Sequence, residues 1–331
     1  MMRIVALEEH FSHPDLVARI PSDRIAGRGY PPSGPGFAGV MRFEQLADTG
    51  AGRLADMQAA GIDVQVLSVA GPGADLLDAG EGQALARAFN DKLAGIVAEG
   101  GGHYAAFAHL PLTAPDAAAD ELERCVVDHK FCGALVNGDT AGRFLDHPSF
   151  APVLERAERL DVPLYIHPNV PPAAVRDAYY SGFAPPVDFL FATAGWGWHA
   201  ETAVHVLRMV LSGTLERHRR LKLIVGHMGE GLPTMLDRCD QVLSPHVSAR
   251  LGRSVKETIL DQVWITTSGI FAAAPMAAAL MTFGVDRVLF SVDYPYAANR
   301  QARELLDNLP LAPADKAKIA SGNADGLLKL G

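Results

Sequence analysis

Eight short apolar, β-branched runs recur along this chain with helically spaced stretches between them, and that alternation restricts the fold more than any other feature. The runs occupy residues 3–10, 63–70, 104–111, 132–138, 163–168, 222–227, 263–269 and 287–293. Segments such as 84–99, 118–129, 150–160 and 201–213 lie between them, with apolar residues returning every three or four positions. Strands that are apolar along nearly their whole length, joined by helical crossovers, form a parallel sheet covered on both faces. Eight such units are the number that closes a barrel. Residues 1–331 are therefore expected to form one α/β domain, a distorted (β/α)8 TIM barrel, with a doubly wound open sheet as the competing arrangement. The stretch 314–330 reads as closing helical structure.

Two connections are too long for plain barrel turns. Residues 12–43 carry PPSGPGFAG, and residues 169–199 carry PPAAV, APPVDF and GWGWH. Both follow the C-terminal ends of strands, the end of a barrel that bears the active site, so both are expected to form walls or lids over it. Surface insertions or oligomer contacts are the plainer alternative.

Charge and cysteine usage narrow the function. A formal net charge of -9 without a long Lys/Arg run argues against a nucleic-acid partner, which needs a basic footprint. The opening MMRIVALEEHF has too few apolar residues before its glutamates for a secretory or membrane-spanning segment, and reads as a buried strand. Cys125, Cys132 and Cys239 are odd in number and not spaced as CxxC; they fit core thiols in a reducing, cytoplasmic setting and exclude a cysteine zinc site.

The chemistry lies where the runs stop. The first ends in Glu8-Glu9-His10, the fifth in His167, the sixth in His227 and the eighth in Asp293. Side chains two apart on a strand share a face, so Glu8 and His10 are expected to point together while Glu9 turns toward the helices. Closure of the barrel sets Asp293 beside them, with His167 on the opposite wall. One histidine at a strand end is commonly structural, but four convergent donors suit one divalent ion with positions left open for water or substrate. His13, His103, His129, His147, His199, His205, His218 and His246 read as surface or packing residues; His109, late in the third run, stands out slightly. In GHMGEGLPTMLDRCD (226–240), His227 and Glu230 form an imidazole–carboxylate pair suited to proton transfer, against the simpler reading of a helix-capping turn. Arg238 is a candidate anion clamp or an ordinary salt-bridge partner.

These segments look familiar. ALEEHF at the start, GALVNG at 133–138, YIHP at 165–168, ETAVHVLRMVLSG at 201–213, LIVGHMGEGLP at 223–233, ITTSG at 265–269 and LFSVDYPY at 289–296 resemble the metal-dependent decarboxylase branch of the amidohydrolase superfamily, γ-resorcylate (2,6-dihydroxybenzoate) decarboxylases above all. The resemblance runs nearly end to end. It implies one manganese or zinc ion on Glu8, His10, His167 and Asp293, with His227 and Glu230 beside a small aromatic carboxylic acid and no organic cofactor. It also implies pocket positions for Asn137, Arg238 and Tyr296, and a homodimer or homotetramer. The E-x-H opening differs from the H-x-H of hydrolytic relatives, and no lysine stands at a strand end to bridge a second metal. The two long connections depart most from the family. Within this reading the ring carbon is protonated before carbon dioxide leaves, with Asp293 as donor. The rival enzyme reading is a metal-bound hydroxide that opens a lactone or hydrates a ring-cleavage product; a scaffold protein is a third.

Overall fold

The computed structural model describes residues 2–31 and 42–330; the PPSGPGFAG segment lies, apart from Pro31, outside them. Among the described residues nine parallel strands occupy the eight expected runs. They are β1 (Val5–Phe11), β2 (Val64–Val69), β3 (Tyr104–Ala106), β4 (Ala108–His109), β5 (Ala134–Asn137), β6 (Leu164–His167), β7 (Leu223–Val225), β8 (Val263–Thr266) and β9 (Val288–Leu289). The third run is split at Phe107, which separates a three-stranded sheet, β1-β2-β3, from a six-stranded one, β4 to β9. Two seams join them. Phe107 N donates to Leu67 O at 2.9 Å across one, and a parallel bridge between Leu7 and Ser291 closes the other. The open-sheet arrangement is thereby excluded, and the chain is a distorted (β/α)8 barrel.

Residue alternation sorts the core into two layers. Val5, Leu7, Val66, Phe107, Leu135, Tyr165, Ile224 and Leu289 cluster with one another, as expected for side chains that fill a barrel. Their neighbours in sequence, among them Ile4, Ala6, Leu67, Ala106, Val136, Ile166, Val225 and Val288, pack against the surrounding helices. The C-terminal helix Asn323–Leu328 adds Ala324, Leu327 and Leu328 to the interior cluster, so the stretch 314–330 does close the structure. Each fully buried Leu or Phe contributes roughly 1.5–3 kcal/mol of transfer free energy. With the interior filled by apolar side chains, the polar residues at the strands' C-terminal ends collect on the remaining rim.

Local signals set the helix ends. Asp78 caps Ala79–Glu99 by accepting from Gly80 N at 3.2 Å and Glu81 N at 3.1 Å, and Ser254 forms a capping box with Glu257 on Val255–Gln262. No helix among the described residues is long and apolar enough to cross a membrane. Cys125 and Cys132 are buried and Cys239 is partly buried; burial pushes the Cys132 thiol up to about 12.

Two buried histidines serve the scaffold. His109 Nε2 accepts from Ala74 N at 2.9 Å, and His205 Nε2 accepts from Leu145 N at 3.0 Å. Burial lowers them to about 4 and about 3, helped at His205 by Arg208. Each is held neutral in the fold, whereas an unfolded histidine gains its proton near pH 6.5. The stability they contribute is therefore complete above that pH and is lost as pH falls toward 4. Two protons taken up only on unfolding correspond to a slope of about 2.7 kcal/mol per pH unit. Urea unfolding between pH 6 and 4.5 should show a shallower loss of stability in a His109→Gln, His205→Gln double variant than in the parent; equal slopes would refute the assignment.

Candidate metal centre and active site

The first site residues depend on an irregularity in β1. Its register against β2 steps from Ala6–Gln65 to Glu9–Leu67, so β1 carries one extra residue, and Glu8 adopts a left-handed φ of 61°. Strict alternation after the inward-facing Leu7 would have turned Glu8 and His10 toward the helices. The bulge reverses the phase, bringing Glu8 and His10 to the interior and Glu9 outward. The expected pairing is correct, but plain alternation does not produce it.

Glu9 then holds the other side of the site. Its Oε1 accepts from Val292 N at 2.9 Å and its Oε2 from Tyr294 N at 3.2 Å, which pins the two amides flanking Asp293. Burial lifts its carboxyl to about 8, against the pull of those amides and Arg53. Asp293 itself sits at φ 74°, a conformation that Asp tolerates better than most residues.

Glu8, His10, His167 and Asp293 lie close together. His10 Nε2 lies 3.1 Å from Asp293 Oδ1, and His167 Nε2 lies 3.4 Å from Glu8 Oε1. Donor atoms of Glu8, His10 and His167 fall within 4.8 Å of one another, as do those of Glu8, His227 and Asp293. Bonds of about 2.0–2.2 Å to one ion require donors spaced roughly 3–4 Å apart, so this set fits a divalent cation. The hydrogen bonding is consistent with one. Tyr165 Oη and Ser268 Oγ both donate to Glu8 Oε2, which leaves Oε1 buried with no hydrogen-bond partner, and His10 Nε2 is in the same position.

His167 is prepared in the manner of a ligand. Its Nδ1 donates to Asn137 Oδ1 at 2.8 Å, leaving the Nε2 lone pair toward Glu8. Burial, reinforced by His10 and His227, holds this imidazole well below its ordinary pKa. Asn137, expected in the pocket, thus also orients a donor. Gly226 is required by close approach, since a Cβ there would lie 2.6 Å from Glu8 Oε2.

His227 and Glu230 follow β7 in a turn where His227, Met228 and Glu230 all have positive φ. His227 Nδ1 pairs with Glu230 Oε1 at 2.7 Å, and its Nε2 lies 3.4 Å from Glu8 Oε1 and 3.7 Å from Asp293 Oδ2. Burial opposes a proton on this ring, but Glu8 and Glu230 outweigh it and raise its affinity well above the usual value. Burial likewise works against ionised Glu230, yet His227 and His199 hold it down at about 2. For Asp293 burial is again overcome, here by the neighbouring imidazoles of His10 and His227, and its carboxyl falls below the usual range. Burial raises Glu8, against His227 and His10.

His10, His167, His227 and Asp293 floor a cavity of about 280 Å³ whose walls include Tyr30, Phe189, Leu190, Trp198, Ile270 and Tyr296. Both long connections contribute to it, as expected of walls over the rim. Tyr30 belongs to the first and donates to Asn169 Oδ1 at 2.9 Å, while Arg28 just before it pairs with Asp139 at 2.7 Å. The second supplies residues from Phe189 to His199. Tyr296 packs edge-on against His10 with centroids 5.6 Å apart.

Two expectations are corrected. Arg238 does not reach this cavity; it lies exposed on the helix Leu232–Leu251, which runs away from the rim, and donates to Gln241 Oε1 at 3.2 Å. His199 is not a surface or packing residue, because its Nδ1 donates to Glu230 Oε2 and it lines the cavity. Its place at the end of the second long connection concealed it; the preceding GWGW, with its irregular backbone, is a local hint.

A family profile described as Amidohydrolase matches residues 30–330. This chain belongs to the amidohydrolase family. It is 37% identical to the gamma-resorcylate decarboxylase of Rhizobium sp. (strain MTP-10005), over 98% of each chain. Among solved structures, a 2,6-dihydroxybenzoate decarboxylase complexed with 2,6-dihydroxybenzoate superimposes with a TM-score of 0.84 at 35% identity, covering 99% of this chain and 100% of the other. A dihydroxybenzoic acid decarboxylase from Polaromonas sp. JS666, with bound manganese and the inhibitor 2-nitroresorcinol, gives 0.85 at 33% identity over 100% and 98%. This amidohydrolase thus shares its whole length with carboxy-lyases, and its candidate metal site occupies the rim of the same barrel.

Proposed function

We propose that this protein is a metal-dependent, non-oxidative decarboxylase of a small hydroxybenzoic acid of the γ-resorcylate type. The observation that carries the reading is the convergence of Glu8, His10, His167 and Asp293 beside the His227–Glu230 pair, at the floor of a cavity sized for one substituted ring. A manganese or zinc ion on those four residues would supply a Lewis acid that gathers the substrate's carboxylate and ortho phenolate.

The protein's own groups handle the proton. Direct loss of carbon dioxide would leave an electron pair in the ring plane, where the π system does not delocalise it, so protonation of the ring carbon comes first. Asp293 is the donor to that carbon. His227, 3.7 Å away through Nε2, resupplies Asp293, and Glu230 fixes the opposite nitrogen of the ring. The carbon–carboxyl bond then breaks, its electrons restore aromaticity, and carbon dioxide departs; one proton is consumed per turnover. The step balances without a redox or organic cofactor and reverses at high bicarbonate. Phe189, Trp198 and Tyr296 enclose the ring, and Asn137 keeps His167 aimed inward. The remainder of the reading is a homodimer or homotetramer acting in the cytoplasm.

Screening mono- and dihydroxybenzoates and carboxyvanillate for carbon dioxide release, with manganese and then zinc, tests it. Release from 2,6-dihydroxybenzoate or a close relative, abolished by a chelator, is expected. Metal-loaded protein that leaves every acid intact but opens lactones with release of acid would overturn it.

A further inference from the structure

Glu230 is shared between two imidazoles. Its Oε1 takes His227 Nδ1 at 2.7 Å, its Oε2 takes His199 Nδ1, and its side chain is fully enclosed. A carboxylate held at one oxygen rotates about its last torsion; one held at both has its plane fixed. With Oε1 fixed, His227 keeps a proton on Nδ1 and presents Nε2 to Asp293. The second nitrogen of His199 is also engaged, 3.1 Å from Ala194 O. His199 stands at the start of the helix Gly197–Leu211, and Ala194 and Trp198 just before it line the cavity. The two rings meet edge to face with centroids 5.1 Å apart.

We infer that His199 is a positioning residue for the reaction, acting through Glu230 to orient His227 and tying the cavity wall at 194–199 to the proton path. The inference rests on the proton-transfer role proposed for His227. Partners that orient a functional imidazole typically cost ten- to a hundredfold when removed. Asn at 199 places an amide nitrogen where Nδ1 stands and retains the bond to Glu230. Gln reaches the position of Nε2, toward Ala194, and loses it.

Steady-state carbon dioxide release should therefore fall at least about tenfold in kcat for His199→Gln, with KM within about twofold of the parent, while His199→Asn recovers most of kcat. In a Glu230→Gln background, His199→Gln should add little, because the two residues act in series. Nitrogen-15 spectra of the His227 ring, recorded at a pH high enough for the ring to be neutral, should show mixed tautomers in His199→Gln and one tautomer in His199→Asn. Equal losses in the Asn and Gln variants, a change in KM alone, or additive losses with Glu230→Gln would overturn the inference. If His227→Asn is impaired and His199→Gln is not, only the role of His199 fails. If His227→Asn is fully active, the proton-transfer reading fails with it.

Discussion

Asp293→Asn is expected to remove carbon dioxide release by a factor on the order of a thousand or more while the protein stays folded and still takes up metal. The backbone at Asp293 has φ 74°, a region that Asn occupies as readily as Asp, and the amides of Val292 and Tyr294 remain anchored on Glu9. Nothing in that framework requires a charge at 293. The amide retains an oxygen that can face a metal ion, but it no longer cycles a proton at pH 7, so the step that precedes carbon–carbon cleavage is lost. Metal content measured beside turnover separates the two roles of this side chain. A variant with a full metal complement and near-normal kcat would show that Asp293 binds the ion without donating the proton.

His227→Asn should lower kcat by on the order of a hundredfold or more. The choice of Asn isolates one nitrogen. Its amide can replace Nδ1 in the bond to Glu230 Oε1, but it places nothing where Nε2 now lies, 3.7 Å from Asp293 Oδ2 and 3.4 Å from Glu8 Oε1. Proton resupply then has to come from solvent. Added imidazole small enough to enter the cavity should restore part of the activity. A variant with unchanged kcat and raised KM would assign His227 to substrate binding alone.

Much of this architecture is legible in the amino-acid sequence. The spacing of eight apolar runs is a local property, set by neighbours two apart in strands and three or four apart in helices, and it predicts the barrel. The residue types at the ends of those runs, with closure of the ring, also bring Glu8, His10, His167, His227 and Asp293 to one rim. The resemblance of the same segments to metal-dependent decarboxylases points to the reaction.

Other features depend on contacts between residues far apart in the chain. The bulge that turns Glu8 inward is stabilised by Tyr165 and Ser268, 157 and 260 positions away, and no periodicity in β1 reports it. Glu9 looked idle because its partners are backbone amides at 292 and 294. His199 joins Glu230 only because the second long connection folds back over the rim, and Arg238 misses the cavity because its helix leads away from it. Chain periodicity determined the number and order of the elements and the chemistry at their ends. The tertiary structure decided which of those side chains face one another, because bulges and docked loops are chosen by the burial and hydrogen bonding of distant partners.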